Sequence, residues 1–200
     1  MPPRGKAIHA KPGRVAHNGA MPSVRPPDPN PGWLSEFQLE ETRSRVPILY
    51  VEAIPVRLDS LGQVEAIGVL LRGSATTGAL TRSFVSGRVL LGETIRSALM
   101  RNIEKDLGPT AFPQLPANIA PFTIAEYFQL PGITPLYDER QHAVALAYVV
   151  AVTGECDPRQ DALELTWLTP QEAASAEILA ELEGGRGLLM QQALAYLGAQ

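Results

Sequence analysis

Hydrophobic positions along the chain follow two periods, and the switches between them predict the order of elements. Residues 33–45 (WLSEFQLEETRSR) place Trp33, Leu34, Phe37 and Leu39 near helical spacing and predict a short amphipathic helix capped by Ser35. Residues 48–58 (ILYVEAIPVRL) are β-branched and apolar and predict a strand, in which Pro55 points to an edge position or a bulge. Asp59-Ser60-Leu61-Gly62 predicts a turn, and residues 64–71 (VEAIGVLL) predict the returning strand. A loop over 73–78 then leads to a short strand over 79–86. Residues 93–107 carry Ile95, Ala98, Leu99, Ile103 and Leu107 on one stripe and predict a helix that Gly108-Pro109 ends. The stretch 109–121 holds four prolines and reads as a loop. Residues 122–130, 142–152 and 163–168 predict three more strands, the second buried on both faces. Thr169 caps a helix predicted from Pro170 to about residue 181, with Glu172 at the capping-box position, and residues 188–197 form the last helix. Strands, helix, strands and then helices imply an α+β sandwich with a mixed sheet.

Composition and charge divide the chain. Residues 1–32 hold eight prolines and a net charge of +4, with almost no large apolar side chain. Such a segment cannot bury enough surface to offset its ordering entropy, so it is expected to be a disordered tail. The remaining residues carry −8. An acidic body argues against broad nucleic-acid binding. The expected organisation is a tail over 1–32, a domain over 33–181 and a C-terminal helix over 182–200 packed on it. Cys156 is the single cysteine, which excludes an internal disulfide and a cysteine-cluster zinc site and fits a cytoplasmic protein. No apolar run approaches the ~20 residues needed to span a bilayer, so no membrane partner is expected.

The most specific chemistry lies in residues 87–108 (GRVLLGETIRSALMRNIEKDLG). Gly87 is followed by five residues and Glu93; seven more lead to Arg101, and Gly108 closes the run. This spacing resembles the Nudix box: Gly, five residues, Glu, seven residues, then Arg-Glu-aliphatic-any-Glu-Glu-any-Gly. The acidic-then-Trp segment Glu164-Leu165-Thr166-Trp167, followed by the capped helix, resembles the end of a Nudix domain. The resemblance covers roughly residues 46–177 and implies an α/β/α sandwich of Nudix-like fold. It also implies a structural ion pair between Glu93 and Arg101, with Gly87, Gly92 and Gly108 shaping the loop and helix. The activity implied is hydrolysis of a nucleoside diphosphate linked to another moiety, with magnesium or manganese as cofactor.

Cleaving a pyrophosphate calls for divalent metal that bridges phosphoryl oxygens and acidifies water, held by carboxylates. Positions 102, 105 and 106 share one helix face. A Nudix box would place three glutamates there; this chain has Asn102, Lys105 and Asp106. Asn102 offers a neutral oxygen, Lys105 no acceptor, and Asp106 one carboxylate on a shorter stem. Glu104 points to nearly the opposite side of the helix. Metal ligands are therefore expected to reduce to Asp106, Asn102 and the Ser86 carbonyl, which the resemblance assigns to metal binding. Activity is expected to be weak or lost, and the cofactor could be absent altogether.

Acids that could assist lie in the loop before Trp167, and Asp161 and Glu164 are the better placed of Glu155, Asp157, Asp161 and Glu164. With Asp106 they form the candidate catalytic set. Candidate substrate contacts are Lys105, whose ammonium could meet a diphosphate directly, Arg88 and His142. Tyr127, Phe128 and Tyr148 could stack on a base but on strands are more often core. Three functional readings stay open: a hydrolase as above, a non-hydrolytic module that binds a nucleotide-like ligand or a protein partner, or a purely structural interaction protein that dimerises through the fold with the basic tail as a tether. A homodimer is compatible with all three.

Overall fold

The computed structural model describes residues 32–74, 77–159 and 161–199. The Pro-rich segment expected to be disordered lies, up to residue 31, outside the described residues. Eight strands among the described residues form one mixed sheet. Strand β1 (Ile48–Leu58) is its axis. β1 runs parallel to β7 (Ala143–Val152), from Ile48 opposite Ala143 to Val56 opposite Ala151. On its other side two strands lie end to end. β4 (Val85–Arg88) pairs antiparallel with Tyr50 to Ala53, and β2 (Val64–Gly73) pairs with Val56 to Leu58. β3 (Leu80–Ser83) and β8 (Ala162–Leu168) flank β2, while β5 (Pro113–Gln114) and β6 (Thr123–Tyr127) flank β7.

Helices cover both faces of the sheet. α2 (Ile95–Leu107) sets Leu99, Ile103 and Leu107 against Val51, Ala53, Leu70, Val85 and Val150. On the opposite face α5 (Arg186–Tyr196) sets Leu189, Met190 and Ala193 against Ile54, Val56, Ile67 and Val69. The period-2 alternation of β1 and β2 decides this: Val51, Ala53 and Leu70 belong to one layer, and Ile54, Val56, Ile67 and Val69 to the other. The result is the α/β/α sandwich that the resemblance implied.

Five local expectations need correction. Helix α1 (Glu36–Arg43) forms, and Ser35 and Gln38 complete its capping box, but it has no buried residue. Phe37 is 78% exposed. The helix is held by its cap and by ion pairs such as Arg45–Glu41 at 2.9 Å, so its apolar residues have no core to face. Pro55 is neither at an edge nor in a bulge. Ile48 N–H donates to the His142 carbonyl (2.9 Å) and Val89 N–H donates to the Leu49 carbonyl (3.0 Å), so odd-numbered residues of β1 turn away from β7. β4 ends opposite Ala53 and β2 begins opposite Val56. The missing N–H of Pro55 therefore falls in the gap between two partners, where no ladder bond is lost.

The strand expected over 79–86 is two strands. Between them Phe84 is fully buried, and the chain crosses from the side of β2 to the side of β1. The loop over 109–121 contains β5. The helix expected from Pro170 to 181 is split into α3 (Pro170–Ala173) and α4 (Ala176–Glu181). Thr169 and Glu172 make the expected capping box, but Ser175 then accepts from the Ile178 N–H and starts a new helix. Among the described residues no helix is long and apolar enough to cross a membrane.

Candidate functional site

The loop between β4 and α2 is fixed by one carboxylate. Glu93 accepts two hydrogen bonds from the Arg101 guanidinium, from Nε and Nη2, each at 2.8 Å, and one from the Leu90 N–H at 3.0 Å. Arg101 also donates to the Arg88 carbonyl at 2.8 Å, and its guanidinium carbon lies 5.6 Å from the Trp33 ring centroid. The Arg101 hydrogen bonds hold the Glu93 carboxyl below its ordinary pKa. Gly92 takes φ +78°, and Thr94 then caps α2 by accepting from the Ser97 N–H. Glu93 and Arg101 thus form an ion pair that joins the loop to α2.

Asn102 is buried directly beneath Gly87, where any Cβ would collide with its amide. Its Nδ2 donates to the Ala98 carbonyl one turn back, at 2.8 Å. Expected as a weak metal ligand, Asn102 packs between the loop and the helix, with its Nδ2 taken up by α2.

One turn further, Lys105 Nζ donates to the Ser86 carbonyl at 3.1 Å and stands 3.2 Å from Asp106 Oδ1. Asp106 Oδ2 is 3.2 Å from Arg72 Nη2 and accepts from the Ser86 N–H at 3.4 Å. The Asp106 side chain is 1% exposed. The carbonyl and carboxylate expected to serve a metal are therefore brought together, but around an ammonium and a guanidinium. One carboxylate between two fixed cations does not fit a divalent ion, because its approach would add like charge to a positive pocket. Among the described residues no three His, Cys, Asp or Glu side chains converge to hold a metal.

Ser86 and Arg72 form part of the wall of an open cleft of about 1200 Å³. The cleft extends past Asp161 to residues 137–140 and 179–186. Of the loop acids, exposed Asp161 reaches it; Glu164 points outward from β8, opposite Leu71, and does not line it. Arg88 contributes its carbonyl to Arg101. The His142 ring stacks on Phe128 at 4.4 Å and is not part of the cleft wall. Tyr127 and Tyr148 are core residues, 2% and 5% exposed.

Two sets of residues were not legible in the sequence. One is Arg72. The other is Glu52, buried on β1, which accepts from Arg186 Nε at 2.7 Å and from the Tyr127 hydroxyl at 2.5 Å. Burial, reinforced by the adjacent Glu52 charge, pushes the Tyr127 phenol well above its ordinary pKa. Burial works against the Arg186 charge, and the Glu52 carboxylate more than offsets it. This cluster pins the start of α5, with its Gly184-Gly185 turn, to the edge of the cleft. On the same rim, burial raises the Asp138 carboxyl, but the Arg140 fork (2.8 and 2.9 Å) pulls it further down, to a net lowered pKa.

A family model described as "Domain of unknown function (DUF4916)" matches residues 29–199. The chain belongs to the DUF4916 family. Solved structures place this DUF4916 chain among Nudix folds. One, from Jonesia denitrificans and described as a possible asymmetric diadenosine tetraphosphate (Ap4A) hydrolase, is 55% identical. That match covers 78% of this chain and 97% of that one, with a TM-score of 0.74. The Nudix domain of Shewanella oneidensis NrtR, solved with ADP-ribose, is 14% identical over 82% of this chain and 99% of that one, with a TM-score of 0.54. A C. elegans Ap4A hydrolase is 12% identical over 76% and 99%, with a TM-score of 0.51. These last two show the fold alone. No curated protein matches the chain.

Proposed function

We propose that this DUF4916 protein binds a nucleoside diphosphate linked to a second moiety, through fixed protein cations, and turns it over weakly or not at all. The observation that carries this reading is the position of Lys105 Nζ, 3.1 Å from the Ser86 carbonyl and 3.2 Å from Asp106. The ammonium sits between the two groups that would have to receive a metal. A lysine has three N–H donors, and these two contacts leave one for a ligand oxygen. The 55% identical Jonesia protein, described as a possible Ap4A hydrolase, supports the ligand class; the Shewanella domain, which shares the fold, was solved with ADP-ribose. Both ligands carry two groups joined through phosphates.

A metal-dependent hydrolase is the second reading. It is favoured by the intact Glu93–Arg101 frame and by the description of the 55% identical relative. In that reading magnesium or manganese is drawn to Asp106, with Asp161 supplied from the cleft wall. One experiment separates the two. The protein is incubated with dinucleotides, nucleotide sugars and nucleoside triphosphates plus magnesium or manganese, and phosphate or monophosphate release is measured. ADP-ribose binding is followed in parallel by calorimetry with EDTA. Binding that is insensitive to EDTA, weakened in Lys105→Ala and unaccompanied by turnover is the expected result. Rapid turnover, or binding abolished by EDTA, would overturn the proposal.

A further inference from the structure

Arg72 lies near the end of β2 on the face of Leu70, the face that α2 covers. Opposite it the ladder with β8 is irregular: Leu71 pairs with Glu164 and Arg72 with Ala162, so Leu163 is an extra residue. Bulges of this kind terminate pairing and re-aim side chains beside sites. Here the guanidinium runs inward to Asp106, and Arg72 is also one of the residues that line the cleft. Its Nη2 donates to the Phe84 carbonyl at 3.1 Å and to Asp106 at 3.2 Å. Its Nε is buried and, among the described residues, has no acceptor. An unmet interior donor on a charged group is costly and calls for an explanation.

Charge gives the same indication. Arg72 and Lys105 share the single carboxylate of Asp106, so this cluster by itself carries one surplus positive charge, although the cleft wall as a whole holds more acids than bases. Of the acids in the cleft wall, Glu181 pairs with Arg82 at 2.5 Å and Asp138 with Arg140 at 2.8 Å, while Glu139, Asp161 and Glu183 also line it.

We infer that Arg72 is a phosphoryl-oxygen receptor of the cleft. Its guanidinium donates to a ligand diphosphate that Lys105 also contacts, with no metal between protein and ligand. This rests on the reading of the site as a diphosphate binder and adds the residue that reads the anion's geometry. A guanidinium can present a planar fork to phosphate, which an ammonium cannot.

The probe is inorganic pyrophosphate in EDTA, titrated by calorimetry into the full chain. Arg72→Lys keeps the charge opposite Asp106, and thermal melting verifies that it folds. It should weaken pyrophosphate binding by about tenfold or more, the value of one charge-assisted hydrogen bond. Arg45→Gln on α1 removes one exposed positive charge and should leave binding unchanged. A second readout needs no functional variant: the Arg72 Nε–H resonance, assigned by its loss in Arg72→Lys, should shift in the wild type as pyrophosphate is added. Equal affinity in Arg72→Lys, or a stationary Nε–H signal under saturating pyrophosphate, would overturn the inference. So would a wild type that ignores pyrophosphate, and if that same protein bound ADP-ribose without metal the broader functional reading would survive.

Discussion

Replacing Asp106 by asparagine should pull stability and anion affinity in opposite directions. The carboxylate is 1% exposed and lies 3.2 Å from both Arg72 Nη2 and Lys105 Nζ. At an effective dielectric constant of about 20, each contact is worth roughly 5 kcal/mol of gross Coulomb attraction. Desolvation of the three groups offsets most of that, and the net cost of removing one partner from a buried ion pair is about 3–5 kcal/mol. Lys105 is 28% exposed and can turn partly to water, which favours the lower end. A loss of about 3 kcal/mol in a chain of this size lowers Tm by roughly 6–12 °C. The neutral amide would also release two cations from their internal anion, so pyrophosphate should bind about tenfold tighter in EDTA. The assay is a pair of thermal melts, with and without pyrophosphate, plus calorimetry. The variant should melt lower alone and gain more from the ligand than the wild type does. An unchanged Tm would refute the ion-pair energetics. Weaker pyrophosphate binding, or loss of a metal-dependent turnover present in the wild type, would show that Asp106 serves a metal and not the two cations.

Four further outcomes follow from the same geometry. The double variant Asn102→Glu plus Lys105→Glu should acquire EDTA-sensitive manganese binding in calorimetry, at a stability loss of about 1–3 kcal/mol from crowding beneath Gly87; failure to bind metal would mean that more than the missing carboxylates is absent. Gly87→Ala should cost about 1–3 kcal/mol through its collision with Asn102, and a urea double-mutant cycle with Asn102→Ala should recover most of it. Arg101 holds Glu93 below its ordinary pKa of 4.5, so the pair stabilises the fold above that pH and the contribution fades as pH falls through the lower folded value. Glu93→Gln should accordingly lose about 1–2 kcal/mol near neutrality and show a flatter acid limb than the wild type in urea midpoints measured below about pH 5. Tyr127→Phe should cost about 1–3 kcal/mol by thermal or urea unfolding, because it strips one donor from buried Glu52 while Arg186 remains.

Local signals carried most of the element order. β1 has the residues that its β-branched run predicted, and the Thr169–Glu172 capping box and the Gly108 stop are where the sequence placed them. These features depend on neighbours within a few positions. The misreadings arose where a distant partner decided the outcome. Pro55 is harmless only because β4 and β2 leave a gap beside it, and α1 buries nothing because no sheet face reaches it. Arg72 and Asp106 are 34 positions apart, and Glu52 and Arg186 are 134 apart, so no window of sequence could show either pair.

The chain's own letters carried the box-like spacing, Glu93 and Arg101 within it, and Asn102 and Lys105 on the helix face where the resemblance would place acids. They could show that a cation stands on that face but not what it touches. Folding decided that. Packing α2 against β4 brings the Ser86 carbonyl to Lys105, and the end of β2 brings Arg72 to the same carboxylate. Electrostatic energy depends on distances in space, and between elements far apart in sequence only the tertiary structure fixes those distances.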